Sequence, residues 1–272
     1  MILLTKIGLY AIAGYLLLIV IMFFLQRRLL YFPDPRAPGE STLQLVGLDR
    51  WPAAGDACRG YVASRPARYG GGTVVVFHGN AGAAWNRNYY VRALEPLRYQ
   101  VLLAEYPGYG GRAGALGEKS FVKDAVEIVR RVHDEFGGPI FLIGESLGCG
   151  VAAAVSGHST VPIKGIALFT PWDTLPDLVQ SIYWFLPGRW LVRDRYDNAA
   201  CLKDNRSRRI AVIVAGRDEV IPKRHGLKLY AALCGQKRLW ILETAGHNTW
   251  PNSADADFWR EVMDFLDWDE SK

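Results

Sequence analysis

The stretch Gly144-Glu145-Ser146-Leu147-Gly148 constrains this chain more than any other. It fits a G-x-S-x-G pattern, and its flanks supply the context that pattern requires. Before it, Pro139-Ile140-Phe141-Leu142-Ile143 reads as a short buried strand. After it, Gly148-Cys149-Gly150-Val151-Ala152-Ala153-Ala154-Val155 is a run of small residues that lets a helix pack closely on a sheet. Strand, sharp turn and helix together put the serine at the tip of a nucleophile elbow. The backbone there is strained, and the flanking glycines remove Cβ atoms that would collide.

A serine hydroxyl is a poor nucleophile at neutral pH. It needs a base, a group to orient that base, and donors for the oxyanion. Behind an elbow of this kind the chain order is serine, then Asp or Glu, then His. The last apolar strand, Arg238 to Leu242, leads to Thr244-Ala245-Gly246-His247-Asn248, so His247 is the expected base. His133 falls inside a predicted helix, His158 ends one and His225 opens one, which suits structural or exposed roles. For the acid, Ile210–Ala215 runs into Gly216-Arg217-Asp218-Glu219-Val220-Ile221-Pro222, which puts Asp218 on a turn at a strand's C-terminal end. Asp173, after the strand Ile163–Phe169, is the second candidate. Phe77-His78-Gly79-Asn80-Ala81-Gly82 ends another buried strand in small residues, and the main-chain amides of Leu147 and Asn80 are the expected oxyanion donors. That loop is neither G-x-G-x-x-G nor a Walker sequence, and no histidine pair has H-E-x-x-H spacing. Neither a nucleotide, another cofactor nor a metal is expected.

Around these motifs, strands at Thr73–Phe77, Gln100–Tyr106, Ile163–Phe169, Ile210–Ala215 and Arg238–Leu242 alternate with helical patterns. The helices are expected near Asn86–Leu97, Lys119–Phe136, Lys223–Cys234 and Asp255–Trp268. Non-alternating apolar strands in such a series predict an α/β fold with a mostly parallel sheet covered by helices on both faces. Leu43–Leu48 and Gly60–Ala63 are expected as early, antiparallel strands. Residues 172–198 interrupt the series with an apolar insertion. It is either a packed helical connector or a short lid over the site.

The 272 residues suffice for one such domain, expected at 41–268, and an N-terminal appendage. Ile7 to Leu25 holds no charged residue and at 1.5 Å per residue spans roughly 28 Å, about a bilayer core. Arg27-Arg28 and Tyr31-Phe32 then form an interfacial anchor. A cleaved signal is disfavoured, because the apolar run is long and Phe23-Phe24-Leu25-Gln26-Arg27 offers no small-residue cleavage site. Residues 1–30 are therefore expected as a single-pass transmembrane anchor, and 31–40, rich in Pro and Gly, as a linker between two independent units. Lys6 precedes the span while Arg27, Arg28 and Arg36 follow it, a bias that leans weakly toward a cytoplasmic domain. Cys58, Cys149, Cys201 and Cys234 show no disulfide spacing. The net charge of +5 forms no basic stripe beyond Arg206-Ser207-Arg208-Arg209, which argues against a nucleic-acid partner. That cluster is expected as a solvated loop.

Taken in order, His-Gly-Asn-Ala-Gly (78–82), Glu-Tyr-Pro-Gly-Tyr-Gly (105–110), Gly-Glu-Ser-Leu-Gly (144–148), Gly-Arg-Asp-Glu-Val-Ile-Pro (216–222) and Gly-His-Asn (246–248) resemble the α/β-hydrolase superfamily, and most closely its membrane-anchored serine hydrolases. The resemblance covers about residues 40 to 268. It implies a Ser146-His247-Asp218 triad acting through an acyl-enzyme. Relatives labelled lysophospholipase-like, peptidase-like and depalmitoylase-like show that these motifs carry a mechanism and not a substrate. Depalmitoylating relatives have a cysteine-rich N-terminus, whereas this chain has no cysteine before Cys58. The expectation is hydrolysis of an acyl ester or thioester, including lipid esters, at a membrane bilayer. Peptide or amide cleavage on the same residues, and a non-catalytic membrane adaptor, are the alternatives.

Overall fold

The computed structural model describes residues 2–53, 58–64, 70–204 and 208–268. The chain starts with one long helix, α1 (Ile2–Leu30), and a short strand, β1 (Phe32–Pro33). There follow α2 (Glu40–Val46), β2 (Leu48–Trp51), β3 (Gly60–Ala63), β4 (Thr73–Phe77), β5 (Ala81–Gly82), α3 (Asn88–Leu94), β6 (Gln100–Ala104) and α4 (Glu118–Phe136). The second half comprises β7 (Ile140–Glu145), α5 (Leu147–His158), β8 (Ile163–Phe169), α6 (Leu175–Ile182), α7 (Gly188–Leu191) and α8 (Asn198–Leu202). It closes with β9 (Arg209–Ala215), α9 (Lys223–Ala232), β10 (Lys237–Leu242) and α10 (Ala256–Asp267).

Eight strands form one sheet in the order β10-β9-β8-β7-β4-β6-β3-β2. The pairs from β10 through to β6 are parallel, and β3 joins β6 and β2 antiparallel. Side chains alternate across it as a pleated strand requires. Val75 and Phe77 pack with α4 and α5 on one face, while Val74 and Val76 pack with α3 and α10 on the other. The expected α/β-hydrolase architecture is the one present.

One early element differs. The segment expected as a strand at Leu43–Leu48 is mostly helix, with β2 starting only at Leu48. Leu43 and Leu45 would share a strand face, yet Leu43 is 2% exposed and Leu45 87%. Only a helical repeat separates them so. Gly47, at φ 69°, closes α2 in the left-handed conformation that glycine adopts without a Cβ penalty. The helix expected over Asn86–Leu97 is shorter, because Pro96 turns its last residues into a 3-10 turn.

The stretch 31–40 is docked onto the domain. Tyr31 is 3% exposed within the core, and Phe32 and Pro33 pair in parallel with Ala81 and Gly82. In the basic cluster, Arg206 and Ser207 lie outside the described residues. Arg208 donates to the Ser156 carbonyl at 2.7 Å, and the Arg209 guanidinium lies 5.4 Å from the Phe265 ring centre, so neither is a freely solvated charge.

Candidate active site

The turn from β7 to α5 has the strained geometry that the elbow pattern anticipates. Ser146 takes φ 52° and ψ −114°, and its amide donates to the Phe169 carbonyl at 2.9 Å. Positive φ in a non-glycine residue is uncommon and is held only where surrounding contacts over-determine it. The reason for the neighbouring glycine is steric. A Cβ at Gly148 would lie 1.9 Å from the Phe77 carbonyl oxygen, so only glycine lets α5 approach β4 here.

Two further strand ends, those of β9 and β10, bring an acid and a histidine into line with this serine. His247 Nε2 lies 3.0 Å from Ser146 Oγ, and His247 Nδ1 lies 2.8 Å from Asp218 Oδ2. Asp218 is fixed in turn, because its other oxygen accepts the amides of Val220 and Ile221 at 2.9 and 2.6 Å. Ser146 and His247 are each 8% exposed, enough for a small group to reach them. Glu219, the neighbour of Asp218, accepts the His247 amide at 3.1 Å. That bond holds the Glu219 carboxyl below its ordinary range and braces the histidine loop.

Asp173, the second acid candidate, does not approach His247. It lies 2.7 Å from His225 Nδ1 and 2.5 Å from the Lys228 ammonium. Burial pushes the Asp173 carboxyl up, but its bonds to His225 and Lys228 outweigh this and hold it well below the carboxylate range.

The His78–Gly82 loop passes close beside the serine. A Cβ on Gly79 would meet Ser146 Cβ at 3.6 Å, and Asn80 and Leu147 both border the cavity at the serine. A buried pair holds this loop, with His78 Nε2 3.0 Å from Glu105 Oε1 and the Tyr106 hydroxyl donating to the His78 carbonyl at 2.8 Å. Beneath the elbow, Glu145 accepts from Arg87 at 3.1 Å and from the Tyr89 hydroxyl. Burial raises the Glu145 carboxyl, but the Arg87 charge and these bonds prevail and leave it ionised below its usual range.

Above Ser146 opens an apolar cavity of about 330 Å³. Trp172, Leu178, Val179 and Ile182 of the insertion contribute to its lining. So do Met22 and Leu29 of α1, so the N-terminal helix shares a wall with the domain. The insertion is part packed and part bare. Leu175 is 2% exposed, whereas Trp184 and Trp190 are 78% and 82% exposed. Among the described residues, no three His, Cys, Asp or Glu side chains gather as a metal site would need.

The alpha/beta hydrolase fold family matches residues 72–201. An uncharacterized protein of Mycobacterium tuberculosis is 32% identical over 237 residues, covering 84% of this chain and 83% of that protein. The lysophosphatidylserine lipase ABHD12 of Danio rerio is 26% identical over 184 residues, which are 61% of this chain and 48% of the relative. A solved esterase of Pyrococcus furiosus superposes with a TM-score of 0.65 at 17% identity, over 87% of this chain and 96% of that one. That last similarity is one of fold.

Proposed function

Because this chain belongs to the α/β-hydrolase family, we propose that it is a membrane-anchored serine hydrolase that cleaves acyl esters or thioesters. The observation that carries this reading is the unbroken hydrogen-bonded line from Asp218 through His247 to Ser146, ending at the floor of an apolar cavity. Asp218 accepts the Nδ1 proton of His247 and so fixes the tautomer whose Nε2 faces the serine. As Ser146 Oγ attacks the acyl carbonyl, His247 takes the hydroxyl proton, and negative charge grows on the carbonyl oxygen. In this reading the amides of Leu147 and Asn80, residues that border the cavity with Ser146, would receive that charge, and the N-terminus of α5 adds a favourable dipole. His247 then gives its proton to the departing alcohol or thiol, which leaves an acyl-Ser146 ester. Water attacks this ester with His247 again as base, releasing the fatty acid and restoring the serine.

A cavity walled by Leu, Val, Ile and Trp favours an acyl chain over a polar peptide. Lysophosphatidylserine, the substrate in the name of the ABHD12 relatives, is a one-chain lipid of this chemical class. Among the described residues, α1 is the one helix long and apolar enough to cross a membrane. Its retention as an anchor is supported by what cleavage would remove. Arg27 forms a two-pronged ion pair with buried Asp194, both contacts at 2.9 Å, and Tyr31 donates to the same carboxylate at 3.0 Å. The greater positive charge after the span favours a cytoplasmic catalytic domain.

The test is covalent labelling of the full chain by a fluorophosphonate, followed by a panel of acyl ester, acyl thioester and peptide substrates. Labelling lost in Ser146→Ala, with turnover of acyl esters, supports the reading. Peptide turnover without ester turnover would overturn the substrate assignment.

A further inference from the structure

The last turns of α1 do not merely end near the domain. They meet the cavity and the loop beside Ser146. Met22, Gln26, Leu29 and Leu30 line the same cavity as the serine. Gln26 is held from both directions, donating to the Leu191 carbonyl at 3.2 Å and accepting the Arg193 amide at 2.8 Å. One turn on, the Leu30 carbonyl accepts from the Asn80 side chain at 2.8 Å, and the Phe32 amide donates to the Asn80 carbonyl at 2.9 Å. Together with the Arg27–Asp194 pair, these bonds fix the helix face against the cavity.

Depth along the helix points to the direction of entry. The Tyr15 hydroxyl donates to the Phe185 carbonyl at 2.8 Å. Tyr15 lies roughly 15 Å along the helix axis from Leu25, where the apolar run ends. The tip of the insertion therefore lies alongside the middle of the apolar run. The exposed apolar side chains it carries, Ile182, Trp184 and Phe185, suit contact with acyl chains.

We infer that α1 is a wall of the acyl-binding site: the acyl chain of a bilayer lipid lies against Met22 and Leu29 and reaches Ser146 from within the leaflet. This rests on the serine-hydrolase reading above and gives residues of the membrane span a specificity-determining role. The occupant is one chain, not two, since a cavity of about 330 Å³ sits at the small end of the ligand-site range of about 300–1,000 Å³. Side chains on the helix then set how long a chain the site accepts.

The experiment uses the full chain in phosphatidylcholine nanodiscs. It compares kcat/KM for p-nitrophenyl laurate and p-nitrophenyl butyrate. Met22→Trp fills the cavity from the helix side and should lower the laurate-to-butyrate ratio by about ten-fold or more, the scale on which apolar pockets discriminate chain length. Met22→Ala enlarges it and should raise the ratio. Fluorophosphonate labelling reports whether each variant is folded and competent; if Met22→Trp fails that check, Met22→Ala decides. Labelled variants that keep the wild-type ratio overturn the wall assignment while the hydrolase reading stands. A wild-type protein that takes up no fluorophosphonate sinks the underlying reading, and the wall with it.

Discussion

Among the described residues, two groups of Ser, His and Asp are joined by hydrogen bonds, and on the proposed function one of them does the chemistry. In the first, Ser146, His247 and Asp218 are linked by contacts of 3.0 and 2.8 Å. In the second, Ser181, His225 and Asp173 are linked by 2.9 and 2.7 Å. Distances alone do not separate them; the surroundings do. Ser146 sits on a strained turn immediately before α5, at the positive end of that helix. Ser181 lies in the last turn of α6, at the negative end, where its hydroxyl donates to the Leu178 carbonyl at 2.8 Å. Asp218 serves His247 and two backbone amides, whereas Asp173 also neutralises Lys228. The first group faces an apolar cavity. The second borders a polar hollow shared with Arg189, Arg224 and Lys228. A triad is therefore recognised by what its serine can do with its proton and by what receives the oxyanion.

The sharpest way to break this contrast is to remove each serine. Ser146→Ala should abolish fluorophosphonate labelling and lower kcat on an acyl ester by about 10⁶-fold. Ser181→Ala should leave labelling intact. Labelling that follows Ser181 instead would reverse the assignment. The acids come next. Asp218→Asn should reduce kcat by about 10⁴-fold, through loss of the correct histidine tautomer. Asp173→Asn should leave kcat close to wild type, and steady-state kinetics on a soluble ester will rank the two. The smallest effect concerns stability. Asp173→Asn should cost about 1–3 kcal/mol in denaturant unfolding, since it weakens the buried bond to His225 and the half-exposed ion pair with Lys228. The Asp173 carboxyl is depressed in the folded state, so its contribution is complete above the ordinary carboxylate value near 4 and fades as pH falls through the folded value. The gap between wild type and Asp173→Asn should thus be widest at neutral pH and narrow in acid. A gap that grows on acidification would contradict the ion-pair account.

What could be read in the sequence was local. The elbow needs only a strand, two glycines and small residues in a row, and Asp218 and His247 each sit on a turn just after an apolar strand. Asp173 also follows a strand end, and nothing in its neighbours announces that His225 will claim it. Leu43 and Leu45 suit a strand equally well until burial separates them. The contribution of α1 was illegible for a different reason. Arg27 and Asp194 are 167 positions apart, and an apolar run of bilayer length looks the same whether one of its faces meets lipid or a cavity. Periodicity exposes a face only when the other face is polar, and this helix is apolar all round.

The burial of Tyr31 has a consequence for how long this protein keeps its address. The peptide bonds joining α1 to the domain run through a residue that is 3% exposed, with the Leu30 carbonyl and the Phe32 amide on either side bonded to Asn80, which holds the seam against the local unfolding a protease needs. The first run of consecutive exposed residues lies farther on, at Pro35, Arg36 and Ala37. A nick there leaves Arg27 still paired with Asp194, and Leu30 and Phe32 still bonded to Asn80. Clipping would split the polypeptide without shedding the domain. On the proposed reading of α1 as a membrane anchor, release from a bilayer would require prying the helix out of its seat, so the hold would rest on folding as well as on covalent connection.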